Sequence, residues 1–267
     1  VRKLEFILAE AIEQKCDTLF TLGSIYSNHC RSTAIASRQL GLECYLFMRQ
    51  REKQGTDVGC LGNMLFNRLT GSHMILTEYQ PYDIAVYPKM DQLKDKLETK
   101  KGAKVYVIPA GGSSFAGMFA YLQCFAELIN QGVLEDYTDI VVTTGSGGTA
   151  SGLAIGNYLS GSNLKVHAVN IRNSAESLYN HIQEDLEKAG LNDVKAEDIL
   201  DIMEGHKGRG YGLSTDEELE HLVQVACETG ITLDPVYTLK SARGMLAEMK
   251  DNPSRFKGKK VLYIHTG

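Results

Sequence analysis

Two glycine-containing loops hold the residues of this sequence best suited to binding a charged ligand. The first spans residues 23–29 (GSIYSNH) and the second spans residues 145–149 (GSGGT). Each follows a short apolar run and precedes an amphipathic one, the pattern of a strand that passes into a helix. Backbone N–H groups and the positive end of the helix dipole meet at such a point, so either loop could bind an anion.

Each loop also has a second interpretation. Ser27 or Asn28 could simply cap the helix that follows, which is the commoner role of serine and asparagine there. The second loop formally matches G-x-G-x-x-A, the pattern of a dinucleotide site. That pattern requires an acidic residue at the end of the next strand, and residues 169–172 read VNIR instead. A phosphate site is therefore favoured over a nicotinamide cofactor. Its candidate residues are Gly145, Ser146, Gly147, Gly148 and Thr149.

Two tyrosines are further candidates. Tyr211 lies between glycines in the run GRGYG, and Tyr237 lies in LDPVYT. A tyrosine between glycines has few neighbouring side chains to cover it, so its hydroxyl could face a ligand. The alternative is an aromatic ring packed beside a turn. The pattern alone leaves both possibilities open.

The elements around these loops alternate between helical and extended runs, which predicts parallel sheets with helices on both faces. In such sheets ligands bind at the carboxyl ends of the strands. We expect the polar stretches 49–58 and 78–91 to be loops. The predicted helices are 2–15, 28–40, 61–69, 90–101, 114–131, 150–159, 174–188, 215–229 and 239–250, and the predicted strands are 18–22, 43–48, 73–77, 104–109, 139–144, 165–170 and 259–265.

Composition excludes several classes of function. The net charge of −5 and the pI near 5.8 argue against binding to nucleic acid, which needs clustered lysine and arginine. No apolar run approaches the roughly 18–20 residues that span a bilayer. The 6 cysteines form no Cys-x-x-Cys pair, and the histidines have no metal-ligand spacing, so neither disulfides nor a metal site are expected.

Seven segments together are more specific than any one of them. In order along the chain they are RKLEF, SNHCR, IPAGGSS, GSGGT, GYG, LDPVYTLKS and IHTG. They resemble the D-cysteine desulfhydrase and 1-aminocyclopropane-1-carboxylate (ACC) deaminase group of fold-type II, tryptophan-synthase-β-like enzymes, which use pyridoxal 5'-phosphate (PLP). The sequences of these segments are most similar to those of the plant-type desulfhydrases.

The resemblance implies an architecture of two parallel-sheet, three-layer α/β domains. The smaller one would be residues 18–109 and the larger one residues 1–17 plus 110–267, with PLP between them. It further implies a homodimer that acts on a small amino acid. We expect neither a nucleic-acid nor a membrane partner, and a cytoplasmic or mitochondrial location.

Site residues follow from the resemblance position by position. The family opens with G-G-N-K-x-R-K-L-E, so its Schiff-base lysine is expected immediately before Val1. The resemblance places Lys3 near the cofactor phosphate, Asn28 at the phenolic oxygen and residues 145–149 around the phosphate. It assigns Ser27, Tyr211 and Tyr237 to catalysis and Thr266 to cofactor binding.

Two positions indicate which reaction is catalysed. ACC deaminases carry glutamate after the second tyrosine and leucine in the final I-H-T-G segment, whereas this chain has Thr238 and Thr266. The expected reaction is therefore the α,β-elimination of D-cysteine to pyruvate, hydrogen sulfide and ammonia. Ser24 and Tyr26 depart from the usual G-G-I-Q-S-N-H, which bears on substrate preference. The alternatives are an ACC deaminase or another PLP lyase or racemase, an NADP-dependent oxidoreductase that uses the Gly145 loop, and an inactive binding protein.

Overall fold

The computed structural model describes residues 1–50 and 59–267. The chain divides into two compact units, Val1–Gly117 and Met118–Gly267. The predicted domain boundaries at residues 18 and 109 stay a prediction. Most of the stretch 49–58 lies outside the described residues. The stretch 78–91 is not simply a loop, because a short helix and the start of a longer one lie within it.

The first unit contains a four-stranded parallel sheet in the order β3-β2-β1-β4. Every residue of β1 is buried, as expected for a parallel strand covered on both faces. The elements, in order, are α1 (Arg2–Glu13), β1 (Thr18–Ser24), α2 (Asn28–Gln39), β2 (Glu43–Gln50), α3 (Gly62–Leu69), β3 (His73–Glu78), α4 (Tyr82–Ala85), α5 (Tyr87–Lys101), β4 (Val105–Ile108) and a 3-10 turn, Ala110–Gly112.

The position of α1 follows from its apolar stripe. Its buried residues Leu4, Ile7, Leu8 and Ala11 repeat at helical spacing and pack in one cluster with strand residues of the sheet. This packing holds the first turn of the helix, which carries Lys3, against the sheet.

The second unit contains another four-stranded parallel sheet, in the order β7-β6-β5-β8. The first helix, α6 (Phe115–Asn130), begins three residues before this unit. The other elements are α7 (Val133–Asp136), β5 (Asp139–Thr144), α8 (Gly148–Leu159), β6 (Lys165–Asn170), α9 (Ala175–Lys188), α10 (Ala196–Ile199), β7 (Asp201–Met203), α11 (Asp216–Thr229), α12 (Thr238–Asp251), a 3-10 turn (Pro253–Arg255) and β8 (Val261–Ile264).

The predicted alternation of strands and helices is confirmed in both units. Sequence analysis missed β7 and the short helices α4, α7 and α10, because three or four residues are too few to display a hydrophobic period. In the described part of the chain, no helix is both long enough and apolar enough to cross a membrane.

Candidate active site

In the first unit, the loop between β1 and α2 ends with a capped helix. The buried Ser27 is the N-cap of α2, and its Oγ accepts a hydrogen bond from the backbone N–H of Cys30 at 3.1 Å. The capping interpretation of Ser27 is therefore correct. A catalytic role would have to use the same hydroxyl, whose position the cap determines.

Asn28 is the first residue of α2, and a partner from α3 orients its amide. The Nδ2 of Asn63 donates to the Oδ1 of Asn28 at 2.8 Å and to the backbone oxygen of Tyr26 at 2.9 Å. This bond directs the oxygen of Asn28 toward Asn63, so its NH₂ group points to the other side as a donor. Donation is what a phenolate-type oxygen would require. Sequence analysis missed Asn63, which no local pattern marks.

Lys3 and His29 are the two buried nitrogen bases of this loop region. Burial lowers the pKa of Lys3 to about 8, and no carboxylate of the described residues pairs with its ammonium. Burial, followed by the charge of Lys3, lowers the pKa of His29 to about 3, so the ring is neutral. Thr21 donates to the backbone oxygen of Ile108 at 3.0 Å, so the His29 Nε2, 2.8 Å from the Thr21 Oγ1, carries the hydrogen.

In the second unit, the loop between β5 and α8 leads into a helix whose N-cap is a glycine. Gly147 is the N-cap of this 12-residue helix, with φ at 101°. A Cβ at Gly147 would lie 2.6 Å from the Cδ2 of His181, so only glycine fits. The backbone amides at the start of α8 can therefore approach an anion closely, which suits a phosphate. The residues present fit the phosphate of PLP.

The two tyrosines lie together in the second unit. The hydroxyls of Tyr211 and Tyr237 are hydrogen-bonded to each other, and their rings meet edge to face with centroids 5.6 Å apart. A Cβ at Gly145 would lie 4.0 Å from the Cε1 of Tyr237, so this pair adjoins the glycine loop. The guanidinium of Arg172 lies 5.3 Å from the centroid of the Tyr211 ring. Sequence analysis considered Arg172 only as a position without an acid.

The two threonines occupy different environments. Thr238 is fully buried, and its hydroxyl donates to the Oδ2 of Asp234 at 2.9 Å. The other carboxylate oxygen of Asp234 accepts the backbone N–H groups of Val236 and Tyr237 at 2.9 and 2.8 Å. Thr266 is exposed and follows β8, which pairs with β5. It therefore lies at the same edge of the sheet at which the Gly145 loop begins.

The structure thus brings the second-loop residues and both tyrosines together in one unit, and Ser27, Asn28, Lys3 and His29 in the other. Uncharged hydroxyls and backbone amides dominate the first group. Among the described residues, no cluster of histidine, cysteine, aspartate or glutamate could hold a metal ion. The hydroxyls and backbone amides of the first group can instead bind an anion and transfer protons.

Comparisons with known proteins agree with this chemistry. The family model described as "Pyridoxal-phosphate dependent enzyme" matches residues 1–267. The bifunctional D-cysteine desulfhydrase/1-aminocyclopropane-1-carboxylate deaminase, mitochondrial, of Arabidopsis thaliana is 42% identical, over 100% of this chain and 67% of its own length. A D-cysteine desulfhydrase of Yersinia enterocolitica is 31% identical, over 100% of this chain and 81% of its own.

Solved structures give the same result. The crystal structure of an ACC deaminase homologue superposes with a TM-score of 0.85 at 29% identity, over 100% of this chain and 78% of that one. A hydrogen sulfide-producing enzyme of Fusobacterium nucleatum shares the fold, with a TM-score of 0.63 at 16% identity, over 98% and 83% of the two chains. These matches confirm the predicted fold and resemblance, and they decide between PLP and a nicotinamide cofactor in favour of PLP.

Proposed function

The chain belongs to the pyridoxal-phosphate-dependent enzymes, and from that premise we propose that it eliminates hydrosulfide from D-cysteine, with pyruvate, hydrogen sulfide and ammonia as products. The observation that carries the proposal is the glycine N-cap of α8 beside the Tyr211–Tyr237 pair. This arrangement combines a phosphate-binding site with two hydroxyls that can transfer protons. Relatives named D-cysteine desulfhydrase at 31% identity and above support the choice of substrate.

The resemblance supplies the proposed cofactor-binding residues one position at a time. Gly145, Ser146, Gly147, Gly148 and Thr149 would hold the phosphate, with Lys3 as a fixed positive charge near it. Asn28 would donate to the phenolic oxygen, which fits the orientation that Asn63 imposes on its amide. Thr266 would be an uncharged neighbour of the cofactor. The lysine that binds PLP covalently is proposed to stand immediately before Val1.

Proton transfer is the role we assign to the hydroxyl groups. When bound, PLP supplies an electron sink for the electrons left when the substrate α-proton departs. In the tyrosine pair, one hydroxyl donates while the other accepts, so Tyr211 and Tyr237 can pass a proton between them or orient the substrate carboxylate. Ser27, with its position determined by the helix cap, would bind that carboxylate or take part in proton transfer.

The position after the second tyrosine bears on the choice of reaction. In the resembling ACC deaminases it is glutamate, whereas here Thr238 is buried and bonded to Asp234. The hydroxyl of Thr238 therefore adds no charge at this position. Elimination at the β-carbon is favoured over reactions that require the strongest electron sink.

ACC ring opening is the second candidate activity. One relative is named bifunctional for both reactions, and another structural relative is an ACC deaminase homologue. Both reactions act on a small amino acid and use the same cofactor as an electron sink. The same residues would serve either reaction, so the substrates must be compared directly.

Assembly and location follow as finer proposals. We infer a homodimer from the resemblance, to be tested by light scattering of the purified holoenzyme. A cytoplasmic or mitochondrial location is consistent with a relative named mitochondrial. Subcellular fractionation of the source cells distinguishes the two.

The decisive experiment measures products from three substrates with the full-length protein. We expect pyruvate and sulfide from D-cysteine, with less from L-cysteine, and little 2-oxobutyrate from ACC. Tyr211→Phe and Tyr237→Phe should each lower kcat about 10²-fold, since each removes a positioned hydroxyl. Tyr158→Phe, at an exposed tyrosine of α8, is the matched control and should leave kcat unchanged.

Three results would contradict the proposal. One is ACC as the better substrate, and another is full activity in both phenylalanine variants. The third concerns the lysine: borohydride reduction followed by peptide mass spectrometry should locate the PLP adduct on the residue before Val1. An adduct at another lysine would overturn that assignment.

A further inference from the structure

Lys240 is a lysine buried beside the tyrosine pair, and sequence analysis did not single it out. It lies in the first turn of α12 and is 1% exposed. Its Nζ lies 2.8 Å from the backbone oxygen of Lys207, 2.7 Å from that of Gly210 and 2.8 Å from that of Leu213. All three carbonyls belong to the loop that carries Tyr211.

The number of bonds identifies the protonation state. An ammonium has three N–H groups, and each of the three carbonyls accepts one of them. A neutral amine has only two hydrogens, and its lone pair would face the third carbonyl oxygen. The side chain is therefore an ammonium in a nest of three backbone oxygens, the chemistry by which proteins also bind monovalent cations.

A buried carboxylate flanks this ammonium. Glu218 caps the helix α11 through Oε2, which accepts from the backbone N–H of Thr215 at 2.9 Å. A Cβ at Gly208 would lie 2.7 Å from the Oε1 of Glu218 and 3.7 Å from the Nζ of Lys240. The glycine, with φ at 56°, thus leaves room for both charged groups beside the loop backbone.

The ammonium connects the two tyrosines mechanically. Lys240 comes three residues after Tyr237, while its three acceptors surround Tyr211 in the chain. The loop itself is rich in glycine, and its own backbone bonds, Gly210 to Lys207 and Leu213 to Gly210, are local turns. Such a loop needs an external tie to hold one conformation.

We propose that Lys240 is a positioning residue that holds Tyr211 against Tyr237, and that the carbonyl nest is a monovalent-cation site which the protein fills with its own side chain. The proposal rests on the proposed function only in giving the tyrosine pair a catalytic role. The nest itself is a property of the folded chain.

The first test is chemical rescue with matched variants of the full-length holoenzyme. Lys240→Ala opens the nest, and kcat for D-cysteine should fall about 10²-fold, the cost of a misplacement of about 1 Å. Ammonium, methylammonium or potassium should restore part of it. Lys240→Met fills the same space without charge and should not respond to these cations. Lys250→Met, at an exposed lysine of the same helix, should behave as wild type.

A spectroscopic readout makes the test independent of activity. With 3-fluorotyrosine incorporated, the ¹⁹F signal of Tyr211, assigned by Tyr211→Phe, should shift or broaden in Lys240→Ala. Added ammonium should return it to the wild-type position, whereas methanol should not. A Tyr211 signal that is unchanged in Lys240→Ala, or restored equally by methanol, would overturn the proposal even if the enzyme acts on a different amino acid.

The wild-type protein supplies a measurement that needs no variant. Because its three hydrogens are buried and bonded, the ammonium of Lys240 should give a slowly exchanging ¹⁵N–¹H₃ signal at neutral pH, which exposed lysines do not. The signal should be missing from Lys240→Met or, should that variant not fold, be assigned through its contacts with Leu213. Its absence from the wild-type spectrum contradicts the nest.

Discussion

The two ends of the sheet in the second unit handle buried polar groups in opposite ways. At the amino end, ionised side chains neutralise one another. At the carboxyl end, where β5 passes into the Gly145 loop, hydroxyls and backbone amides predominate, and the ammonium of Lys240 and the carboxylate of Glu218 lie near them. The contrast separates the residues that stabilise this unit from those to which we assign its chemistry.

The amino end is a chain of alternating charges. His167 is fully buried, with its Nε2 2.9 Å from Asp139 and its Nδ1 2.7 Å from Asp201. Because a carboxylate faces each nitrogen, both nitrogens carry hydrogens and the ring is positively charged. Arg255 donates to both oxygens of Asp201 at 2.7 and 2.8 Å, and to Glu248 at 3.1 Å. Side chains that are paired with opposite charges in this way have no group left to react with a substrate.

The carboxyl end keeps groups that both donate and accept. The hydroxyl of Ser241 lies 2.5 Å from that of Thr143 and 2.6 Å from that of Tyr263, and the Tyr211–Tyr237 pair is of the same kind. A hydroxyl can reverse its direction of donation at small cost, whereas an ion pair cannot. Proton transfer is therefore expected at this end.

The largest effect should come from breaking the chain of charges. Asp139→Asn removes one counter-ion of the buried His167, and the variant should lose about 3–5 kcal/mol of unfolding free energy. Urea denaturation measures the loss. Asp136→Asn, at an exposed aspartate of α7, should change the midpoint very little. The PLP spectrum of the folded fraction should be unaltered by either, and a loss of cofactor without a loss of stability would refute the division between the ends.

Acid should act on the same ions. Burial opposes ionisation of Asp139 and Asp201, but the bonds from His167 and, for Asp201, first of all from Arg255 outweigh it, so both pKa values are lowered on folding. The unfolded chain then binds more protons, and the stabilisation is present above the unfolded pKa of about 3.9 and is lost as the pH falls below it. Urea midpoints at a series of acidic pH values should show this fall. In Asp139→Asn the fall should be shallower.

At the carboxyl end, Gly147→Ala should weaken the cofactor more than the fold. The added methyl group would meet His181 and take a positive φ, a strain of about 1–3 kcal/mol that falls on the phosphate loop. Gly161→Ala is the matched control, since Gly161 also has a positive φ, 65°, but no atom within 4 Å of its Cβ position. Titration of the two apoenzymes with PLP should show a weaker affinity in Gly147→Ala than in Gly161→Ala. Equal affinities would show that the loop does not hold the phosphate.

The smallest effect concerns Arg172. Arg172→Met removes the cation over the Tyr211 ring, a contact of about 0.5–1 kcal/mol at a partly exposed site. Backbone hydrogen exchange in residues 207–213 should accelerate a few-fold, and much less than in Lys240→Ala. If Arg172→Met had the larger effect, the cation over the ring rather than the ammonium nest would hold the loop.

The local pattern of the sequence was sufficient for most of the architecture and for the main candidates. The period of apolar residues predicted the parallel α/β class and nearly every longer element, and the glycine spacing predicted that the Gly145 loop would suit a phosphate. Tyr211 and Tyr237 were selected singly, from their own neighbours. Their mutual hydrogen bond is a tertiary result, because 26 residues separate them.

The sequence by itself determined the class of fold, the family and the loop chemistry, since these depend on residues close together in the chain. Only the tertiary structure decided which polar groups became partners. The strand order β7-β6-β5-β8 sets His167 between two aspartates from neighbouring strands, and the packing of α12 buries Lys240 under the Tyr211 loop. A lysine in a helical pattern is ordinarily exposed. Lys240 can be buried as a cation only because three backbone carbonyls, distant from it in the sequence, accept the hydrogens of its ammonium.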